Sequence, residues 1–321
     1  VSAIESFDSA ATGNLGGLGL PNLFAWIIGE KFSAGSVATS IAHSVAIILS
    51  WLVGGAFAAA VAWVIGKISL GLRADYFAIA TLGISEIIIA VLKNEDWIAR
   101  GVKNVNGLPR PVAYEFELQQ APWFQNLAES IGVTVVEFSS IWVKLSYAVL
   151  FVGVLAIVLW LSEKALNSPW GRMMRAIRDN ETAASAMGKN VKKRHLQVFV
   201  LGSAVIGIAG AMLTTLDGQF TPASYQPLRF TFLIWVMVIV GGSGNNWGAV
   251  LGGFLIWFFW IEAEPLGLLL MQGITYGMAD GFWLKEHLIE SAAHMRLITM
   301  GLVLLLVLRF TPQGLIPERK R

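Results

Sequence analysis

Few residues in this chain are placed to do chemistry, and those few argue against an enzyme. Two Gly-Lys pairs, Gly66-Lys67 and Gly188-Lys189, come nearest to a phosphate-cradling loop. Neither has the upstream glycine or the following Ser or Thr that such a loop needs to wrap phosphate oxygens and hold magnesium. Gly242-Ser243-Gly244 begins like a dinucleotide fingerprint, but Trp247 stands where the third glycine must let a helix pack close. The four histidines are scattered and no HExxH occurs, so no metal-ligand spacing is present. There are no cysteines, which removes disulfides, thiolate metal sites and Cys nucleophiles. The expectation is a chain with no catalytic, cofactor-binding or metal site.

Two features stand out against that quiet background. Glu86 lies deep in the apolar stretch 74–92, where a carboxylate is expensive and a functional role is the default. It either lines a passage or holds a helix through a hydrogen bond. Thr81, Ser85, Thr214 and Thr215 are further polar candidates for a passage. The second feature is 168-SPWGRMMRAIRDNETAASAMGKNVKKRH-195, where eight Lys and Arg fall between positions 164 and 194. Ser168 suits a helix N-cap and Pro169 a first helical position. Trp170, Met173, Met174 and Ile177 then share a face, with Arg172, Arg175 and Arg178 turned away toward lipid phosphate. Asp179 is placed to cap a second short helix and Gly188 to end it. On that helix Asn180, Ala183, Ala184 and Met187 share a smooth face suited to close docking.

The elements that carry these residues read as membrane spans. Of 321 residues 55% are hydrophobic and only 14% charged, against about 25% charged in soluble domains. Charge-free runs long enough to cross a bilayer are 41–66, 145–162 and 196–216. Residues 74–92 form another span and a last one ends near Leu308. The 32 uncharged residues 230–261 are too long for one span and read as two helices around 241-GGSGNNWG-248. Residues 18–29 are apolar but short, a half-helix or re-entrant element. The fold class expected is therefore all-α and polytopic, with about eight transmembrane or half-membrane helices in a single transmembrane domain over 1–321. Small residues, as in 202-GSAVIGIAGA-211, favour close helix packing. The Gly-rich turns 12–20 and 241–253 suggest an inverted repeat.

Charge sets the orientation. Loop 163–195, with eight basic and three acidic residues, is expected in the cytoplasm, together with 67–73 and the tail Arg319-Lys320-Arg321. Segments 93–141 (four basic, six acidic) and 262–290 (one basic, five acidic) fall outside, the first as a periplasmic loop. Residue 1 is Val, with Glu5 and Asp8 close behind and no basic-then-apolar signal region, so the natural chain is expected to start earlier.

The basic loop resembles the cytoplasmic coupling loop of ABC importer permeases. Their motif, Glu-Ala-Ala, three residues, then Gly, aligns with Thr182-Ala183-Ala184 and Gly188, with Glu181 beside the Thr that replaces the motif's Glu. The longer string is similar to LivM-type permeases of branched-chain amino acid transporters. So are 72-LRADYFAIATLGISEII-88, 106-NGLP-109, 206-IGIAGAM-212, 240-VGGSGNNWGAVLGG-253 and 310-FTPQGL-315, in family order. The resemblance implies ATPase-coupling residues at Arg178, Asp179, Glu181, Thr182, Ala183, Ala184, Met187 and Gly188. It implies a second, homologous permease, two ATP-binding subunits that hold the ATP and magnesium, and an external substrate-binding protein. Lipid surrounds the whole, in a bacterial inner membrane or an archaeal plasma membrane, and no nucleic acid is involved. Urea or a short amide is the alternative cargo, and a stand-alone secondary carrier the alternative class.

Overall fold

The structure, a computed structural model, describes residues 37–72, 74–95, 104–222, 226–276, 278 and 282–318. Its residues fall into two compact units, 1–225 and 226–321, a division inside the chain read above as one domain. Expected features at 12–20 and 18–29 lie outside the described residues.

The first unit holds α1 (Val37–Ser69), α2 (Ala74–Asn94), β1 (Val105–Asn106), α3 (Glu115–Gln120), α4 (Pro122–Ile131), α5 (Val135–Asn167), α6 (Pro169–Asp179), α7 (Glu181–Ala186), α8 (Val191–Asp217) and β2 (Gln219–Phe220). α1 and α8 run antiparallel, because Gly66 lies against Leu196 and Phe199 while Gly54 lies against Ala211 and Gly207. The small residues set that distance. A Cβ on Gly55 would sit 2.6 Å from Ile208 and one on Gly207 2.5 Å from Ala58. Within a bilayer such backbone proximity replaces the missing hydrophobic drive. Gly202 and Gly210 have no such neighbour, so only part of the Gly/Ala run makes the crossing. The pairing also brings the Lys67 end of α1 beside the start of α8, as the charge argument required.

α5 is longer than its uncharged run suggested. Its 33 residues extend roughly 50 Å, beyond a hydrocarbon core of about 30 Å. Thr134 caps it, accepting from the Glu137 amide at 3.4 Å and donating to the Glu137 carboxylate at 2.7 Å. The projecting turns are covered by α3 and α4, where Phe124 is fully buried and stacks on Phe138 at 4.8 Å. Gln119 donates to Ser139 Oγ at 2.9 Å across the same contact. The described part of the segment expected as a 93–141 loop is thus folded, and its last residues belong to α5. Its NGLP stretch is pinned too: β1 pairs antiparallel with β2, and the amides of Gly107 and Leu108 donate to the Gly218 carbonyl.

The second unit holds α9 (Pro227–Gly241), α10 (Asn246–Ile274), α11 (Trp283–Glu290) and α12 (Met295–Phe310), the last two joined through a short 3-10 turn. The expected helix–turn–helix is present, with Gly242 and Gly244 at φ +117° and +100° and Asn245 capping α10 through the Trp247 amide at 3.0 Å. α9 and α10 cross almost in backbone contact. A Cβ on Gly241 would strike the Gly248 carbonyl, and one on Gly252 the Met237 carbonyl. Gly253, next in the chain, meets nothing within 4 Å and lies off the crossing. After α12 the chain returns over the turn: the amides of Leu315 and Ile316 donate to the Val240 and Gly241 carbonyls at 2.9 Å each. Those carbonyls end α9 and have no partner in their own helix. Gly314 (φ +78°) packs against Gly242, so the segments 240–253 and 310–315 form one interlocked structure. A core of Leu233, Val236, Val240, Ile256 and Met300 lies beneath.

Among the described residues five helices are long and apolar enough to cross a membrane, in α1, α2, α5, α8 and α10. α9 is a shorter apolar helix, and α11 with α12 would make a sixth span, bent by 59°. α10 runs past the expected end at Ile261, through Pro265, to Ile274, which places Glu262 and Glu264 inside a helix rather than in an external loop.

Candidate functional site: the basic loop and the polar groups of the spans

α6 and α7 form a packed block between the ends of α5 and α8. Ser168 Oγ accepts from the Gly171 amide at 3.3 Å with Pro169 at the first helical position, as expected. Gly171 is buried because a Cβ there would run into the Ala165 and Leu166 carbonyls. Arg175 is half-buried and donates to the Leu166 carbonyl at 3.3 Å; Arg172 reaches the Asn167 carbonyl at 3.5 Å. Two of the three arginines therefore cap the C-terminal carbonyls of α5, where a cation meets the negative end of the helix dipole, rather than pointing at lipid. Arg178 stays exposed beside Asp179 at 3.3 Å.

Asp179 is the last residue of α6, and the cap of α7 is Asn180, one position later than expected. Asn180 turns extended (φ −155°), and its Oδ1 accepts from the Ala183 amide at 2.9 Å, three residues on, the reach that an N-cap requires. Gly188, left-handed at φ +75°, closes the helix as expected: its amide donates to Ser185 and that of Lys189 to Ala184. Asn190 then caps α8 through the Lys193 amide at 3.0 Å.

The expected smooth face is divided. Ala184 turns inward and packs with Ile177 and Val191, with Met173 and Met174 around them. Glu181, Thr182, Ala183 and Met187 are exposed, Met187 at 80%. A short, low-relief helix is therefore held out on a packed base that continues directly into two spans.

The polar candidates of the spans are not brought together. Thr81 donates to the Phe77 and Ala78 carbonyls at 3.0 Å and Ser85 to Leu82 at 2.7 Å. Thr214 donates to Ala211 at 2.9 Å, and Thr215, buried, to Met212 at 2.8 Å. All four hydroxyls thus bond their own helices. Glu86 is exposed and makes no hydrogen bond or ion pair among the described residues.

One charged pair escaped the sequence reading. Arg296, at the start of α12, contacts Glu264 of α10 at 2.5 Å, and its guanidinium lies 5.7 Å from the Trp260 ring centre. Arg296 Nε is buried without a partner. The signal was available: apolar residues resume at once after Pro265, and Arg296 directly precedes the run 297–308. Both side chains are about a third exposed, so removing one partner should cost about 1–2 kcal/mol, less than for a fully buried pair. Arg296→Leu and Glu264→Leu are each expected to lower the thermal midpoint of the detergent-purified chain. The exchange Glu264→Arg/Arg296→Glu should recover most of the loss, and additive losses would show that the pair is not coupled.

Long apolar helices, glycine-close crossings and a basic loop between spans mark a polytopic membrane protein. The family described as "Branched-chain amino acid transport system / permease component" matches residues 11–308, and the chain belongs to it. It is 30% identical over 177 residues to the probable branched-chain amino acid transport permease protein LivM of Methanocaldococcus jannaschii, covering 54% of this chain and 46% of that protein. With the high-affinity LivM permease of Escherichia coli K12 it shares 28% over 210 residues, 64% of this chain and 48% of that one. With the probable LivH permease of M. jannaschii it shares 28% over 165 residues, 49% and 47% respectively. The chain spans about half the length of the curated relatives it matches. No solved structure matches it significantly.

Proposed function

We propose that this chain is a LivM-type permease subunit of an ATP-driven importer for amino acids, branched-chain ones foremost. It would work with a second, homologous permease, two ATP-binding subunits that hold ATP and magnesium, and an external binding protein. The observation that carries this reading is the exposed α7 on its packed base. α6 is bonded to the end of α5 through Ser168, Arg172 and Arg175, and α7 leads through Asn190 into α8, which is locked to α1 by glycine contacts. A push on α7 by a closing ATPase is then delivered to three spans as a rigid-body motion, the form that alternating access takes. The chain's own part is to receive that motion and form the path; the phosphate chemistry belongs to the partners. The family and its LivM and LivH relatives support the amino acid cargo. Urea or a short amide, the alternative cargo, would pass the same uncharged, Gly- and Ala-rich helices.

The test is reconstitution of the chain with the companion permease, ATPases and binding protein of its own genome in sealed vesicles. ATP-dependent uptake of labelled leucine, isoleucine and valine is expected, with none of urea or acetamide, and no saturable ATP binding by the purified chain alone. Uptake of urea without leucine would move the cargo, and uptake without ATPase subunits would overturn the class.

A further inference from the structure

The ion pairs Arg110–Glu115 and Arg178–Asp179 stand outside the spans, whereas Arg296–Glu264 joins two apolar helices. Both helices can be measured from the turn at 241–248, over which the chain returns after α12. Glu264 lies eighteen residues beyond Asn246 along α10, roughly 27 Å, and Arg296 fourteen residues before Phe310 along α12, roughly 21 Å. The pair thus sits in the half of an about 30 Å hydrocarbon core remote from that turn. Charges at such depth are expensive and mark function by default.

Holding α10 to α12 does not require them. Gly267 already lies against Met295, with 2.7 Å left for a Cβ, and an apolar pair of similar size at 264 and 296 would hold the helices as well. Nor is the pair saturated. Arg296 Nη2 meets Glu264 Oε2, Nε is buried without a partner, and both side chains keep about a third of their surface open. The Trp260 ring, 5.7 Å away, backs the guanidinium. Thr299, one turn further along the same face of α12, is partly exposed. Its hydroxyl makes no hydrogen bond among the described residues, unlike those of Thr81, Ser85, Thr214 and Thr215. A zwitterion leaving water needs a cation for its carboxylate and an anion for its ammonium, a few ångströms apart. Urea or an amide needs neither.

We infer that Glu264 and Arg296 form a binding site for the charged end of a zwitterionic α-amino acid in transit. Arg296 takes the carboxylate, with the Thr299 hydroxyl as a further donor, and Glu264 takes the ammonium. Without cargo the two side chains close on each other, so neither charge is left alone in the span. The inference rests on the reading of this chain as an amino acid permease and deepens it, because it sets the cargo's charge pattern.

Because the chain has no cysteine, Thr299→Cys gives a single reporter and replaces only the auxiliary donor. In the full complex it should react with a polar maleimide, and leucine should slow that reaction saturably. Leucinamide, which lacks the carboxylate, and isocaproate, which lacks the ammonium, should each fail to slow it at the same concentrations. Reaction with an apolar maleimide alone would put Thr299 off the passage. Equal protection by all three compounds would mean a blocked path rather than a reading of charge, and no protection by leucine would mean no site. Each of these results overturns the inference. Glu264→Gln/Arg296→Gln removes both charges and leaves amides that can still pair. Its thermal midpoint should stay near the unmodified value, while ATP-driven leucine uptake falls at least about tenfold because the cargo's charges are left unpaired. Full uptake by this folded variant overturns the inference also. If the variant does not fold, the protection pattern at Thr299→Cys decides alone. Failure of the unmodified complex to take up any leucine would remove the amino acid reading first, and this one with it.

Discussion

Replacing Gly252 with valine is expected to abolish accumulation of folded protein, while the same change at Gly253 is expected to leave it near the unmodified level. The two glycines are adjacent in sequence and both lie inside α10, so helix propensity and side-chain volume are common to the pair. Their surroundings differ. A Cβ on Gly252 would lie within van der Waals exclusion of the Met237 carbonyl and 2.9 Å from the Gly241 amide and Cα. These are backbone atoms of α9, and they cannot step aside as the tip of a flexible side chain can. Overpacking a core costs about 1–3 kcal/mol where side chains adapt, and more is expected where two helix axes must separate. Separation would also pull the Val240 and Gly241 carbonyls from the Leu315 and Ile316 amides, so the C-terminal clasp would loosen with the crossing. Gly253 has no atom within 4 Å of its added carbon. The measurement is the monodisperse fraction and thermal midpoint of each variant after gentle detergent extraction. Equal behaviour of the two variants would mean that the close crossing is not what holds this unit together.

The turn at 241–248 was legible because 32 uncharged residues cannot cross a bilayer once, and because glycines and asparagines mark where the chain can reverse. Which glycines make the crossing was not legible. Gly248, Gly252 and Gly253 all sit near one side of a helix drawn in isolation, and only the rotation of α10 against α9 separates the second from the third. The same limit explains Ala184. A 100° step between Ala183 and Ala184 decides which faces the Ile177–Val191 cluster, and the composition of a short helix does not fix that rotation. Hydropathy also ended α10 at Glu262, because windows treat a charge as a boundary; the Arg296 contact to Glu264 lets the helix continue. The basic loop was the most readable element, since caps act over three residues and leave their mark in the sequence. Even there the cap fell on Asn180 rather than Asp179, a choice made by where α6 stops. The passage was the least readable. Thr81, Ser85, Thr214 and Thr215 bond to their own helices, and Glu86 faces outward from α2, so polar type alone did not identify a lining.

The division of α7 into an outward and an inward side makes the coupling hypothesis sharper. Ala183→Arg adds a long cation to the exposed face and touches nothing in the packed base. Ala184→Arg forces the same side chain into the Ile177 and Val191 contact, where Ala184 is 7% exposed. Gly188→Arg is less informative than either, because φ +75° is strained for any residue with a Cβ and the closure of α7 depends on it. Ala183→Arg is therefore expected to leave insertion, thermal midpoint and pairing with the companion permease unchanged. ATP-driven uptake should fall by at least about tenfold, the effect of about 1.4 kcal/mol lost at a docking contact. Met187→Asp, on the most exposed large apolar residue of the block, is expected to act in the same direction. Ala184→Arg should lower uptake as well, but with a lower thermal midpoint and faster proteolysis between 168 and 195. The three variants so separate a lost contact from a lost fold. Full uptake in Ala183→Arg and Met187→Asp, assayed in the same vesicles as the unmodified complex, would remove α7 as the surface on which an ATPase acts.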